Sequence, residues 1–484
     1  MIYMPLLEET GHMPTELYAH APEILDHCDR IGKQYGLHDN ALFHTEVTDL
    51  EWDAGAGRWI VRTNRGDEFT AQFVGMGTGP LHVPKLPGIP GVEFFSGHSF
   101  HTSRWDYGYT GGDPSGAPMD RLADKRVAII GTGATAVQCV PHLAQACGEL
   151  YVFQRTPSSI DVRDQRATTE EEREAWTREP GWAKARRARF AKISEVRAAV
   201  LANDDYLAGK VQDFKERKKY DRDLTPEERM QKQLDSSFRL MEQIRARVDA
   251  IVKDPKTAAA LKPYYPYGCK RPTFHDEYLP TFNLPNVHLV DTAPRGVSEI
   301  NERGVVHEGV EYPLDVLIYA TGFQWMGTST FNRISGRGGR TLKDKWETEG
   351  TRTFLGLHSR GFPNLFIVTG PQGGGGSFNF TDVIYAHADY LIWVLQTMRE
   401  RGAQIVDVRK DPEDKYAEHC REVDIATAPL RDCISYYNGE GKASPGSLAY
   451  YGGRQWDKYR MEAQTTLEPY VFGGGDSAIS ATAK

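Results

Sequence analysis

Apolar and polar positions along the chain switch between two periods, and the switches mark its organisation. Arg58 to Thr63 (RWIVRT) reads as a strand, Asn64-Arg65-Gly66-Asp67 as a turn, and Phe69 to Gly75 as a second strand ending in Met76-Gly77-Thr78-Gly79. The pattern returns late in the chain. Gly304-Val305-Val306, a turn at Glu308-Gly309 and an apolar strand from Tyr312 to Tyr319 lead into Ala320-Thr321-Gly322-Phe323. Each copy delivers a buried strand into a Thr-Gly turn. Such an echo suggests two dinucleotide-binding units, although two unrelated hairpins would give the same pattern.

Between the copies the period lengthens. From about Thr168 to Leu261 the chain is rich in Glu, Lys, Arg and Ala and poor in glycine. Thr225-Pro226-Glu227-Glu228 is a helix start, with Thr as N-cap, Pro in the first turn and carboxylates at the positive end of the dipole. Met230, Leu234, Phe238, Leu240, Met241 and Ile244 then form an amphipathic stripe. A helical subdomain set into an α/β framework is expected, its charges forming a solvated face. The Gly, Ser and Ala tail after Gly473 is expected to be disordered.

At 484 residues the chain has room for about three domains. With 40% hydrophobic and 26% charged residues it has the composition of a globular protein rather than a disordered one. Its 58 basic and 66 acidic residues leave a net charge of −8, which argues against a nucleic-acid surface. No apolar run approaches the roughly 18 residues of a membrane span. Glu8, Glu9, Glu16, Glu23 and Asp26 rule the first residues out as a secretory or mitochondrial leader. The cysteines at 28, 139, 147, 269, 420 and 433 show no CxxC spacing, so no disulfide scaffold, zinc site or dithiol redox centre is expected. The reading is a cytoplasmic, multidomain α/β enzyme without a membrane or nucleic-acid partner.

The sharpest local signal follows the apolar strand Arg126-Val127-Ala128-Ile129-Ile130. Gly131-Thr132-Gly133-Ala134-Thr135-Ala136 is GxGxxA in its required place between a strand and a helix. The first glycine permits the turn, the second lets backbone N–H groups approach a pyrophosphate, and Ala136 allows close helix packing. The next strand, Glu149 to Gln154, ends in Arg155-Thr156, where an NAD site would carry a carboxylate for the ribose 2′-OH. An arginine there pairs with a 2′-phosphate, which predicts NADP rather than NAD.

Phe95-Ser96-Gly97-His98-Ser99-Phe100-His101-Thr102-Ser103-Arg104-Trp105-Asp106 matches FxGxxxHxxxW(P/D). The chain thereby resembles the type I Baeyer–Villiger monooxygenases, flavoenzymes that insert one oxygen atom of O2 beside a ketone carbonyl. The likeness continues in Pro84-Lys85-Leu86-Pro87-Gly88, Gln154-Arg155-Thr156-Pro157-Ser158, Gly268-Cys269-Lys270-Arg271-Pro272 and Ala320-Thr321-Gly322-Phe323. It implies FAD and NADPH as cofactors, a ketone and O2 as substrates, and a two-dinucleotide-binding-domain (Rossmann-like) α/β fold with an inserted helical subdomain. The oxidant it implies is a flavin C4a-peroxide. By the same resemblance Arg271 is the active-site arginine that stabilises this anion, and Lys270 contacts the 2′-phosphate. His101 couples domain movement to catalysis, and Trp105 marks oxygenation beside carbonyls rather than on nitrogen or sulfur. Cofactor contacts are expected from Gly131, Thr132, Gly133, Ala134, Thr135, Ala136, Gln138, Arg155, Thr156, Lys270, Thr321, Val47, Gly370 and Gln372. Tyr436 stands where some relatives carry Trp, and Tyr451-Gly452-Gly453 resembles the family's YxGG element.

One part of the family pattern is not found. No strand followed by GxGxxG for the FAD pyrophosphate stands before position 95, where the glycines are isolated or in polar turns. The expected division is therefore 1–94 as the remnant of an FAD-binding domain and 95–325 as the NADP-binding domain, with its helical insertion at about 165–262. Residues 326–484 form the C-terminal part of the FAD and substrate domain. A chain short of its first FAD βαβ unit is expected to hold NADPH better than FAD. Two other readings stay open: oxygenation of nitrogen or sulfur by the same chemistry, and a non-catalytic NADP-binding remnant.

Overall fold

The computed structural model describes residues 3–79, 81–194, 225–324, 328–373, 380–427, 434–435, 440–442 and 453–474. The expectations for Tyr436, Tyr451, Gly452 and the tail from 475 fall outside them.

The centre is a parallel sheet of five strands: β1 (His98–His101), β2 (Arg126–Ile130), β3 (Glu149–Gln154), β4 (Val287–Asp291) and β5 (Val316–Tyr319), in the order β4-β3-β2-β5-β1. Val127, Ile129, Val316 and Ile318 are wholly buried on one face, and Ala128 and Leu317 on the other. Strands buried on both faces belong to a sheet covered on both sides, which is why β2 and β5 read as unbroken apolar runs. Helix α1 (Ala134–Ala146) follows β2 and covers the first face with Ala136, Val140 and Leu143.

The echo seen in the sequence is architectural. The early hairpin, Arg58–Thr63 with Glu68–Ala71, joins Val47–Asp53 and Ile334–Ser335 in a four-stranded sheet. The stretch expected as one strand from Phe69 to Gly75 divides after Ala71, and Val74–Met76 pairs in parallel with Leu365–Ile367 instead. The late hairpin, Gly304–His307 with Val310–Pro313, likewise precedes a strand of the parallel sheet, β5. Both hairpins thus feed parallel strands whose carboxyl ends run into Thr-Gly turns.

The helical insertion contains Glu170–Thr177, Trp182–Ser194, Pro226–Ile251 and Pro255–Ala260. Thr225 caps its helix as the sequence predicts, in a reciprocal box with Glu228. The stripe is buried only toward its C-terminal end: Met241, Ile244 and Val248 are covered, whereas Phe238 is 47% exposed. The long helix joins the core of the sheet domain through Val248, followed by Val252, Ala258 and Leu261.

Candidate functional site

The nucleotide loop is built for a ligand that meets backbone. Gly131 adopts φ 107°, and a Cβ there would lie 2.5 Å from the Ala320 carbonyl oxygen, so only glycine fits. Thr132 is buried, and its Oγ1 donates to the Thr156 carbonyl at 2.9 Å. Ser158 Oγ returns a hydrogen bond to the Thr132 carbonyl at 2.5 Å. Gly133 precedes the first turn of α1 without a side-chain cap, and a Cβ there would meet nothing within 4 Å. Uncapped N–H groups face open space at the positive end of a helix dipole, which suits a pyrophosphate. Ala134 and Thr135 open α1, Ala136 is wholly buried against the sheet, and Gln138 bonds back to the Ala134 carbonyl at 2.9 Å.

The strand ends bring the basic residues to this loop. Arg155 is exposed just beyond β3, and Thr156 carries the carbonyl that receives Thr132. Four residues beyond Thr156, the short strand Ile160–Asp161 pairs in parallel with Thr273–Phe274, which follows Lys270, Arg271 and Pro272 directly. Thr273 Oγ1 and N both donate to the Ser159 carbonyl, at 2.6 and 3.1 Å, and Tyr265 Oη donates to the Pro157 carbonyl at 3.0 Å. These bonds tie the segment carrying Lys270 and Arg271 to the segment carrying Arg155. Lys270 sits over the Tyr265 ring, and burial, followed by the charge of Arg155, holds its ammonium below the usual lysine range.

His101 and Trp105 lie at a crossing between the two halves. His101 Nδ1 accepts from the Ser103 N–H at 3.2 Å, which leaves Nε2 to donate to the Gly322 carbonyl at 3.0 Å. Burial lowers its pKa, so the ring is neutral at neutral pH. Around it the chain segments pair: Lys85 N donates to the Gly322 carbonyl at 2.9 Å, Gln324 N to the Val83 carbonyl at 2.9 Å, and Thr321 Oγ1 to the Lys85 carbonyl at 2.5 Å. His101 thus joins the crossing through its ring, and Thr321 spends its hydroxyl on the same crossing. Trp105 packs edge-on against Phe100 and donates its indole N–H to Thr110 Oγ1 at 3.1 Å.

A second loop follows the parallel pair Val74–Met76 and Leu365–Ile367. Thr369 and Gln372 take φ values of 58° and 62°, and a Cβ on Gly370 would stand 2.4 Å from the Gly356 carbonyl oxygen. Gln372 is 2% exposed; its Oε1 accepts from Thr353 N and Oγ1, and its Nε2 donates to the Thr351 carbonyl, each at 2.9 Å. His387 bridges the loop, accepting from Thr369 N at 3.1 Å on Nδ1 and bonding the Gly373 carbonyl at 2.5 Å through Nε2. Tyr416 Oη adds a bond to the Gln372 carbonyl at 2.7 Å. Across from this rigid turn, a Cβ on Gly75, Gly77 or Gly79 would meet nothing within 4 Å. An open glycine face beside a rigid turn, both at the carboxyl ends of parallel strands, fits the ring end of a flavin nucleotide. No second GxGxxA loop for its pyrophosphate occurs among the described residues. Val47 opens the surface strand Val47–Asp53 and is 46% exposed.

The sequence reading missed several participants. Lys85 and Ser158 lie inside motifs it quoted and become visible only through their partners. His387 lies within the helix Phe380–Glu400, with no local signal. Cysteine spacing gave no disulfide scaffold, yet Cys269 is disulfide-bonded and 1% exposed, whereas Cys28, Cys139 and Cys147 are free. Cysteine spacing could not show this, because a disulfide depends on proximity in the fold.

A glycine loop for a dinucleotide and a separate glycine-lined flavin face, joined through a clamped crossing, define a two-nucleotide oxidoreductase. No family model matches the chain. It is 44% identical over 483 residues to a Baeyer–Villiger monooxygenase of Streptomyces coelicolor, covering 95% of this chain and 78% of that one. The polycyclic ketone monooxygenase of the fungus Thermothelomyces thermophila superposes with a TM-score of 0.86 at 36% identity, covering 98% of this chain and 80% of that one. OTEMO in complex with FAD and NADP superposes with a TM-score of 0.79 at 25% identity, covering 98% and 89%. The chain belongs to the Baeyer–Villiger monooxygenases, NADPH- and FAD-dependent enzymes that insert one oxygen atom of O2 beside a ketone carbonyl. Among the described residues no helix is long and apolar enough to cross a membrane.

Proposed function

We propose that this chain oxidises a bulky, multi-ring ketone to an ester or lactone, with Arg271 as the residue that makes oxygen transfer possible. The substrate class rests on the likeness to the polycyclic ketone monooxygenase. The site rests on one observation above others: the Ile160–Asp161 and Thr273–Phe274 pair, which draws Lys270 and Arg271 to the nucleotide loop and Arg155. Gly131 to Ala136 hold the NADPH pyrophosphate through backbone N–H groups, while Arg155 and Lys270 take its 2′-phosphate. FAD, held along Gly75, Gly77, Gly79 and the Gly370–Gly373 turn, supplies the oxygen-activating chemistry when bound. Gln372 acts here through its backbone, since its side chain is fully engaged.

The guanidinium of Arg271 keeps its charge at any working pH. Placed beside the ketone, it stabilises the negative charge that builds on oxygen as the carbonyl is attacked, and withholds no proton that the reaction needs. His101, neutral and donating to Gly322, keeps the two halves in register during the nicotinamide and substrate steps. The domain division that follows is 1–94 and 326–484 for flavin and substrate, and 95–325 for NADPH.

Replacing Arg271 with Ala tests the assignment. Ketone oxygenation by FAD-supplied protein is expected to fall by about 10² to 10³. The NADP⁺ dissociation constant should change by less than about threefold, because the pyrophosphate loop is untouched. Full retention of ester formation would remove Arg271 from the chemistry.

A further inference from the structure

An anion of the chain itself, Glu440, lies close to the segment that meets Lys270. Lys85 Nζ meets Glu440 Oε1 at 2.6 Å. Lys270 Nζ donates to the Ile434 carbonyl at 2.8 Å. Glu440 takes φ 58°, and its N–H returns to the Ser435 carbonyl at 2.8 Å, next to the Ile434 that receives Lys270. The bond from Lys85, and beyond it the charges of Lys85, Arg155 and Lys442, hold the Glu440 carboxyl below its usual range. Lys270 feels the same carboxylate in the opposite sense to Arg155, which repels it. The disulfide at Cys269 lies next to Lys270 on this segment.

Arg155 is exposed, but its charge repels the partly buried Lys270, and a nearby anion offsets that repulsion. Glu440 provides one, placed by its bond to Ser435 beside the Ile434 carbonyl that receives Lys270. A ribose 2′-phosphate brings a charge of about −1.5 to −2 to the same cations. We infer that Glu440 is a built-in stand-in for the 2′-phosphate, which NADPH must displace and which thereby sets the enzyme's discrimination between NADPH and NADH. This rests on the assignment of Arg155 and Lys270 to the 2′-phosphate. A dinucleotide without that phosphate leaves the Lys85–Glu440 pair in place, so its affinity does not depend on Glu440. The phosphorylated one binds against the carboxylate, so its affinity does.

The experiment is calorimetric titration of wild-type chain, Glu440→Gln and Arg155→Ala with NADP⁺, NAD⁺ and the fragment 2′,5′-ADP. Both sides of the Lys85–Glu440 pair are part-exposed, and pairs of that kind contribute up to about 1 kcal/mol, or about fivefold. Glu440→Gln should therefore bind NADP⁺ and 2′,5′-ADP about threefold to fivefold tighter, with NAD⁺ unchanged. Unchanged or weaker NADP⁺ binding by Glu440→Gln would overturn the inference, as would an equal gain for NAD⁺. The underlying assignment is judged separately: it fails if Arg155→Ala weakens NADP⁺ no more than NAD⁺. Thermal unfolding of each variant confirms that the titrated protein is folded.

Discussion

The two glycine loops of this chain do similar work by opposite means. At Gly131 to Ala136 the backbone is shaped by its immediate neighbours: β2 leads in, α1 leads out, and the side-chain bonds of Thr132 and Ser158 reach only to the next strand end. The Gly370–Gly373 turn is shaped from afar, by Thr353 through Gln372, by His387 from the middle of a long helix and by Tyr416. Buried side chains thus hold the Gly370–Gly373 turn proposed for the flavin, whereas the arginine proposed for the nucleotide is exposed. Different perturbations should therefore reach each loop alone.

Acid should strike the flavin side hardest. Burial depresses His387 to about 4 and His358 to about 3. An unfolded imidazole binds its proton near 6.5, so below that pH the unfolded state takes up more protons and stability falls until the folded values are reached. At pH 5 each histidine should cost about 2 kcal/mol. Thermal unfolding from pH 7 to 5 should show this slope, and His387→Gln should remove about half of it; a slope unaffected by that change would contradict the burial argument.

The next largest effect belongs to the nucleotide side. Arg155→Ala removes charge-assisted bonds contributing about 1.5–3 kcal/mol, so NADPH should weaken about tenfold or more with NADH nearly unchanged. Equal loss for both would detach Arg155 from the 2′-phosphate. Gly131→Ala places a methyl 2.5 Å from the Ala320 carbonyl oxygen at a positive φ. Strain of about 1–3 kcal/mol should appear in thermal unfolding together with weaker NADP⁺ binding. Wild-type affinity in that variant would mean that the loop tolerates a side chain.

Gln372→Ala should give the smallest shift and the cleanest contrast. It leaves the Thr353 N–H buried without that partner, at about 1–2 kcal/mol of stability. Flavin retention should drop while NADP⁺ binding holds. Loss of both together would show that the two loops are not independent.

The same contrast explains what the sequence disclosed. GxGxxA, the strand before it and the Thr225 capping box are local arrangements, and each is legible because its partners lie a few residues away. The hairpin echo was legible for the same reason. Phe238 continues the apolar stripe of its helix yet is 47% exposed, because the helix becomes buried only from Met241 and joins the sheet core at Val248. Gln372 looked like a polar residue facing a cofactor; its partners Thr351 and Thr353 belong to another segment that only the fold brings near. The disulfide at Cys269 and the carboxylate of Glu440 beside Lys85 have the same origin in long-range proximity.

The central claim is oxygen insertion beside a ketone carbonyl by an NADPH- and FAD-dependent enzyme. Its most direct test is mass analysis of the product formed from a multi-ring ketone by FAD-supplied protein with NADPH under ¹⁸O₂. The account predicts an ester or lactone carrying one labelled oxygen, formed faster with NADPH than with NADH. Unchanged ketone, with NADPH consumed only to make hydrogen peroxide and the same result across a panel of ketones, would contradict it.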